Sequence, residues 1–168
     1  MGTLAERNRT ELMESLADNL KALPDEQLEA IKDFAGLARR MAHLVPAPPG
    51  TYGNLIGPVY STKALQAMWD ISREAVSKKA RSGKLLALKV DGENLFPVFQ
   101  FRGNEVRADV RDIVKVLRES ADPFTVAQWL RTPQDDDAQK RTPLSQLDEG
   151  CFEVVKSSAT RAAARWSA

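Results

Sequence analysis

Residues 59–101, VYSTKALQAMWDISREAVSKKARSGKLLALKVDGENLFPVFQF, carry the order of parts that most limits what this chain can fold into. A short apolar lead, Val59-Tyr60, meets Ser61 and Thr62, whose hydroxyls can cap a helix start by accepting from a free backbone N–H. Ala64, Leu65 and Met68 follow at helical spacing. After a break at Trp69-Asp70-Ile71, Ser72 is placed to cap a second helix running to about Arg81. Its spacing puts Ala75, Val76 and Ala80 inside and leaves Arg73, Ser77, Lys78 and Arg81 outside. Gly83 suits the left-handed position that ends a helix. Two strands, 85–90 and 95–101, are expected around Asp91-Gly92, a pair that favours a tight hairpin. The pattern predicts helix, turn, helix, hairpin.

This stretch resembles the MerR and excisionase type of winged helix-turn-helix. The residues that carry the resemblance are Ser61-Thr62-Lys63, Ile71-Ser72-Arg73-Glu74-Ala75-Val76 and Arg81-Ser82-Gly83-Lys84-Leu85, followed by the hairpin and Phe96-Pro97. The resemblance implies binding to double-stranded DNA, with the second helix laid in the major groove. Two features depart from the pattern. The turn holds Trp69-Asp70 where a glycine is more usual, and the hairpin tip Asp91-Gly92-Glu93-Asn94 is acidic, a poor clamp for phosphate.

Charge supports this reading locally and says nothing globally. The chain has 24 basic and 23 acidic residues. Within 61–89, however, Lys63, Arg73, Lys78, Lys79, Arg81, Lys84 and Lys89 face only Asp70 and Glu74. Residues 1–45 hold six basic and eight acidic groups, and 104–168 hold ten and eleven. A helix of this kind presents its first residues to base edges while neighbouring cations neutralise phosphates. The expected DNA-binding set is therefore Ser61, Thr62, Ser72, Arg73, Glu74, Ser77, Lys78, Lys79, Arg81 and Lys84. The competing reading is a solvated helix face.

A length of 168 residues allows one ordinary domain or two small ones. The apolar runs are far short of the roughly 20 residues that cross a bilayer, and the N-terminus has no apolar signal core. The single cysteine, Cys151, excludes an intrachain disulfide and fits a reducing cytoplasm. His43 is the only histidine, so neither a zinc cluster nor a Cys/His nucleophile pair has suitable neighbours. Asp135-Asp136-Asp137 reads as a solvated loop rather than a cation site, because the acids lack alternating spacing and a partner Glu. No glycine-rich phosphate loop is present. The expectation is a non-enzyme without cofactor or metal.

The N-terminal 45 residues read as a helical hairpin. Leu4, Leu12, Leu16 and Leu20 give one stripe, Leu23-Pro24-Asp25 breaks it, and a second helix is expected from Pro24 or Asp25. Leu28, Ile31, Ala35, Ala38 and Met41 mark its apolar side. Two helices of about twenty residues make too little core to stand alone. The stripe must pack on the rest of the chain or on a second subunit, and a helix-turn-helix on a palindromic site needs two-fold symmetry. Residues 46–58, with four Pro, three Gly and no charge, read as a linker or ordered connector.

The last third is helical again. Val110, Ile113, Val114 and Leu117 form one face; Asp122-Pro123 and Thr142-Pro143 are cap-plus-proline helix starts. Phe152, Val155, Ala159, Ala162 and Trp166 line the inside of a final helix. This region resembles the toxin-binding domain of the Xre/MbcA/ParS-like antitoxins, on Trp129-Leu130-Arg131-Thr132-Pro133, Arg141-Thr142-Pro143-Leu144, Leu147, Gly150 and Glu153-Val154-Val155. That resemblance implies a protein that sequesters a toxin encoded nearby, often of the RES class, and represses its own operon. Trp129, Arg161, Arg165 and Trp166 are the expected partner contacts. A helical cap that completes the core is the alternative.

The sequence thus predicts a mainly α chain with a small β-hairpin wing: an N-terminal hairpin (1–45), a connector (46–58), a winged helix-turn-helix (59–103) and a C-terminal helical bundle (104–168). The expected function is sequence-specific double-stranded DNA binding by a cytoplasmic, nucleoid-associated, homodimeric regulator, and specifically an antitoxin-repressor. An excisionase-like architectural factor and a protein-interaction adaptor are the alternatives.

Overall fold

Side chains that accept from free N–H groups set most of the helix starts. In the computed structural model, which describes residues 2–48 and 53–168, the chain divides into two compact units, 1–38 and 39–168. In the first, Thr3 and Glu6 form a reciprocal cap: the Thr3 hydroxyl accepts from the Glu6 N–H at 3.2 Å, and the Glu6 carboxylate accepts from the Thr3 N–H at 2.6 Å. Helix α1 (Leu4–Lys21) follows, then α2 (Asp25–Glu29) behind Pro24. The continuous second helix expected here is broken. Asp33 accepts from the Gly36 N–H at 2.8 Å and so starts a fresh helix, α3 (Phe34–His43).

The second unit is built on a three-stranded antiparallel sheet with strands β1 (Val59–Ser61), β2 (Leu88–Val90) and β3 (Glu93–Pro97) in the order β1-β3-β2. Val90 pairs with Glu93, so the hairpin turns on two residues, Asp91 at φ 48° and Gly92 at φ 82°. Positive φ at both positions matches the twist of the flanking strands. The apolar lead Val59-Tyr60, not anticipated as a strand, pairs with Pro97 and Phe96 in the centre of the sheet. Both hairpin strands are shorter than 85–90 and 95–101, and one side chain accounts for this. Buried Gln100, in a 3-10 turn (Val98–Gln100), accepts from the Leu86 N–H at 2.8 Å and donates to the Leu86 carbonyl at 2.9 Å. It replaces the strand partner that Leu86 would otherwise need. A second small hairpin, β4 (Phe101–Arg102) and β5 (Glu105–Val106), turns at Gly103 with φ 60°.

Alternation along these strands feeds two cores. Leu85 and Phe96 join Leu65, Val76 and Phe101 in one cluster. Leu86, Leu88 and Val59 join the other, with inner residues of four helices: α7 (Ala108–Arg118), α8 (Pro123–Arg131), α9 (Pro143–Asp148) and α10 (Phe152–Ser167). Val110, Ile113, Val114 and Leu117 are buried on α7 as expected, and Val155, Ala159 and Ala162 on α10. Asp122 caps α8 by accepting from the Phe124 and Thr125 N–H groups, and Thr142 caps α9 in the same way. In the connector, residues 49–52 lie outside the described residues. Ala47 bridges to Val59, and α4 (Gly53–Ile56) buries Ile56 and packs against α8. At Gly57, φ is 69°, a left-handed conformation that glycine enters without strain, and a Cβ there would also force the Arg131 guanidinium to move aside.

The acidic run is not a merely solvated loop. Asp135 pairs with Lys140 at 3.5 Å, Asp136 with Arg161 at 2.7 Å and Asp137 with Arg141 at 2.8 Å. Asp137 also accepts from Gln146 and from the Arg141 backbone N–H. The side-chain and then the backbone hydrogen bonds from Arg141 hold its carboxyl down at about 2.

Candidate nucleic-acid interface

Two serines of the expected site open the two helices of the motif. The Ser61 hydroxyl accepts from the Ala64 N–H at 3.1 Å, starting α5 (Thr62–Trp69). The Ser72 hydroxyl accepts from the Ala75 N–H at 3.1 Å, starting α6 (Arg73–Arg81). Between them Asp70 takes the left-handed conformation, φ 51° and ψ 49°, where a glycine is more usual. Aspartate is among the few residues that enter this region at small cost. Trp69, the other departure, is anchored: its indole N–H donates to the Asn104 carbonyl at 2.6 Å and its ring lies 6.0 Å from that of Phe101. The aromatic pair ties the turn to the β4–β5 hairpin.

At 100° per residue, Arg73, Glu74, Ser77, Lys78 and Arg81 fall within one arc of α6, opposite Val76, which is fully buried. Lys79 lies off this arc, its ammonium 5.3 Å from the centre of the Trp69 ring, a cation–π contact. Seven of the ten expected residues line two concavities. Ser61, Thr62, Arg73 and Ser77 line a cleft of about 290 Å³ between the helix starts and the hairpin tip, together with Lys63, Gln66, Gly92, Glu93 and Asn94. Lys79, Arg81 and Lys84 line a larger groove at the far end of α6. Ser72, Glu74 and Lys78 are exposed beside them.

Lys63, Gln66 and Asn94 line the cleft although they are outside the expected set. Gln66 stands one turn beyond Thr62 and Lys63, a spacing that could have revealed it; Asn94 enters only through the hairpin fold. The cleft carries Lys63 and Arg73 against Glu93. It can accept an anion from one side and offer donors and acceptors to base edges from the other.

The residues expected to meet a protein partner are differently placed. Trp129 is 7% exposed inside the C-terminal core, so it offers almost no surface. Trp166 is half-buried and packs on the same core. Arg161 donates to Asp136 at 2.7 Å and to Ser157 at 2.9 Å, and Arg165 is exposed. Among the described residues, no group of three or more His, Cys, Asp or Glu is arranged to hold a metal ion, and no helix is long and apolar enough to cross a membrane.

No protein-family model and no curated protein matches the chain. Among solved structures it is similar to the NMR structure of Rv2175c, with a TM-score of 0.53 and 19% sequence identity, covering 63% of this chain and 81% of that one. At this identity the likeness is one of fold alone, and the fold of this chain is mainly helical, with a small antiparallel wing and flanking helical segments.

Proposed function

We propose that the chain is a double-stranded DNA-binding transcriptional regulator that reads sequence with α6. The observation that carries this is the exposed arc of α6. It holds three cations on a capped helix that follows a three-residue turn, with its first residues open beside the wing. Arg73, at the helix start, is suited to the guanine acceptor pair, and Glu74 to the cytosine amine. Ser61 and Thr62, at the start of α5, are placed for backbone phosphate, and Lys78 adds sequence-independent attraction. Arg73→Ala should cost about 1–3 kcal/mol on a specific site and relax its sequence preference, whereas Lys78→Ala should weaken all duplexes alike. Gel-shift titrations on DNA upstream of the chain's own reading frame test this. Wild-type behaviour of both variants would rule out base reading by α6.

The N-terminal unit is read as the dimerisation element, because Leu4, Leu12 and Met13 of α1 are exposed and two-fold symmetry suits a palindromic site. Light scattering that finds only monomer at tens of micromolar would remove this. A second reading, the antitoxin of a toxin pair, is favoured by the outer face of α10, where exposed Val154 shares a stripe with Ser157, Arg161 and Arg165. A Val154→Asp/Arg165→Glu variant should then bind DNA normally but fail to co-purify with the neighbouring gene product. Retained co-purification, or a harmless neighbour, would end the antitoxin reading.

A further inference from the structure

We propose that the groove between the end of α6 and the outer face of α7 is a second phosphate-binding surface, over which the flank of the same duplex passes once α6 is seated. This rests on the DNA-binding reading above. The groove encloses about 930 Å³, with Lys79, Arg81 and Lys84 on one wall and Arg111, Lys115 and Arg118 on the other. Only two acidic residues, Asp112 and Glu119, line it. Asp112 is engaged by Arg111 at 3.0 Å.

Three features favour a polyanionic backbone as the occupant. First, among the described residues Arg81, Lys84 and Lys115 have no carboxylate within ion-pair distance, so their charge is open to a ligand. Second, Arg111, Lys115 and Arg118 recur at i, i+4 and i+7 on α7, a stripe on the order of 10 Å long, which several duplex charges span. A small anion would need a compact cradle instead. Third, the groove is continuous with the reading face, because Arg81 belongs to both the exposed arc of α6 and the groove wall. The opposite end of α6 meets the wing, whose tip carries Asp91 and Glu93. The tip itself adds no cation, and the groove extends the basic surface past the other end of α6. Segment-by-segment charge counting hides this surface, since residues 104–168 are nearly neutral as a whole. Folding sorts the cations of α7 onto the stripe.

The test uses the full chain and two variants, Arg111→Ala/Lys115→Ala and Lys115→Glu. Both side chains are exposed; Arg118 is left in place because its guanidinium donates to the Ala121 carbonyl and closes α7. The probe is a duplex of about 30 base pairs selected by the wild-type protein from a random pool. A second probe is the same site trimmed to about one helical turn. Fluorescence anisotropy across a salt series should show the double variant binding the long duplex about tenfold more weakly near 0.1 M salt. Its salt slope should be lower by about 0.9 for each lost phosphate contact. Lys115→Glu should weaken the long duplex further than a neutral change at that position. On the trimmed duplex all three proteins should bind alike, and the sequence selected by the double variant should be unchanged. Equal slopes on the long duplex overturn the groove alone, provided Arg73→Ala still loses affinity. Recovery of no duplex from the pool overturns the reading of α6 and the groove together.

Discussion

Helices α1 and α10 are the two longest among the described residues, at 18 and 16 residues, and both carry apolar side chains at helical spacing. Yet α1 buries none of its residues, while α10 buries Val155, Ser158, Ala159 and Ala162. Their local chemistry runs the opposite way. α1 has a reciprocal Thr3–Glu6 cap and a Lys21–Asp18 pair at 3.0 Å; α10 has no side-chain hydrogen bond at its start. One helix is held by its own sequence and the other by what it touches. The inner positions of α10 are mostly small, which lets α7 pack closely alongside. Leu4 and Leu12 of α1 stay exposed, the observation behind the dimerisation proposed above.

The largest effect that would sharpen this contrast comes from the core side. Val155→Ala should lower global unfolding stability by about 2 kcal/mol, because a fully buried side chain is cut back and a cavity remains. Leu12→Ala, in α1, should change monomer stability by no more than about 0.5 kcal/mol and should act on self-association instead. Denaturant titrations at two protein concentrations separate the two effects. Equal losses at both sites would break the contrast.

Next in size are the caps. Thr3→Ala and Asp122→Ala each remove an acceptor worth about 1 kcal/mol. The loss at Asp122 should register in global unfolding, since α8 contributes Val126, Ala127 and Leu130 to the core. The loss at Thr3 should register only as faster amide exchange within α1. A shift of the global midpoint by Thr3→Ala would show that α1 unfolds with the core.

The smallest effect is confined to acid. The folded carboxyl of Asp137 is depressed from 3.8 to about 2 by the hydrogen bonds from Arg141. Its contribution is therefore complete above the unfolded value and is lost as pH falls from about 4 towards 2. Asp137→Asn should flatten stability against pH within that window and leave the slope above pH 5 unchanged. An unaltered acid limb would assign the dependence to other carboxylates.

What could be read from the residues in advance was local. Ser61, Ser72, Asp122 and Thr142 each reach a backbone N–H two or three residues on, so one short window contains both partners. The Asp91-Gly92 turn is equally self-contained. Long-range pairings were not readable. Gln100 substitutes for a strand neighbour of Leu86 fourteen residues away, and Trp69 finds the Asn104 carbonyl thirty-five residues away. Asp33 broke an apolar periodicity that otherwise ran through the second helix, because a carboxylate offered the backbone a better partner at that point. In the acidic run, Lys140 and Arg141 lie within five residues of the aspartates they pair with, whereas Arg161 reaches Asp136 only in the folded chain.

By itself, the sequence determined the capped starts of α5, α6, α8 and α9, the two-residue turn at Asp91-Gly92 and the outward arc of α6. All of these follow from periodicity and from hydrogen bonds that close over a few residues. The tertiary structure alone decided which apolar stripes were covered and which cations met. It set Trp129 into the core, left the leucines of α1 exposed and aligned α7 with the end of α6. Burial and charge clustering depend on which distant segments approach one another, and no short window of sequence contains that distance.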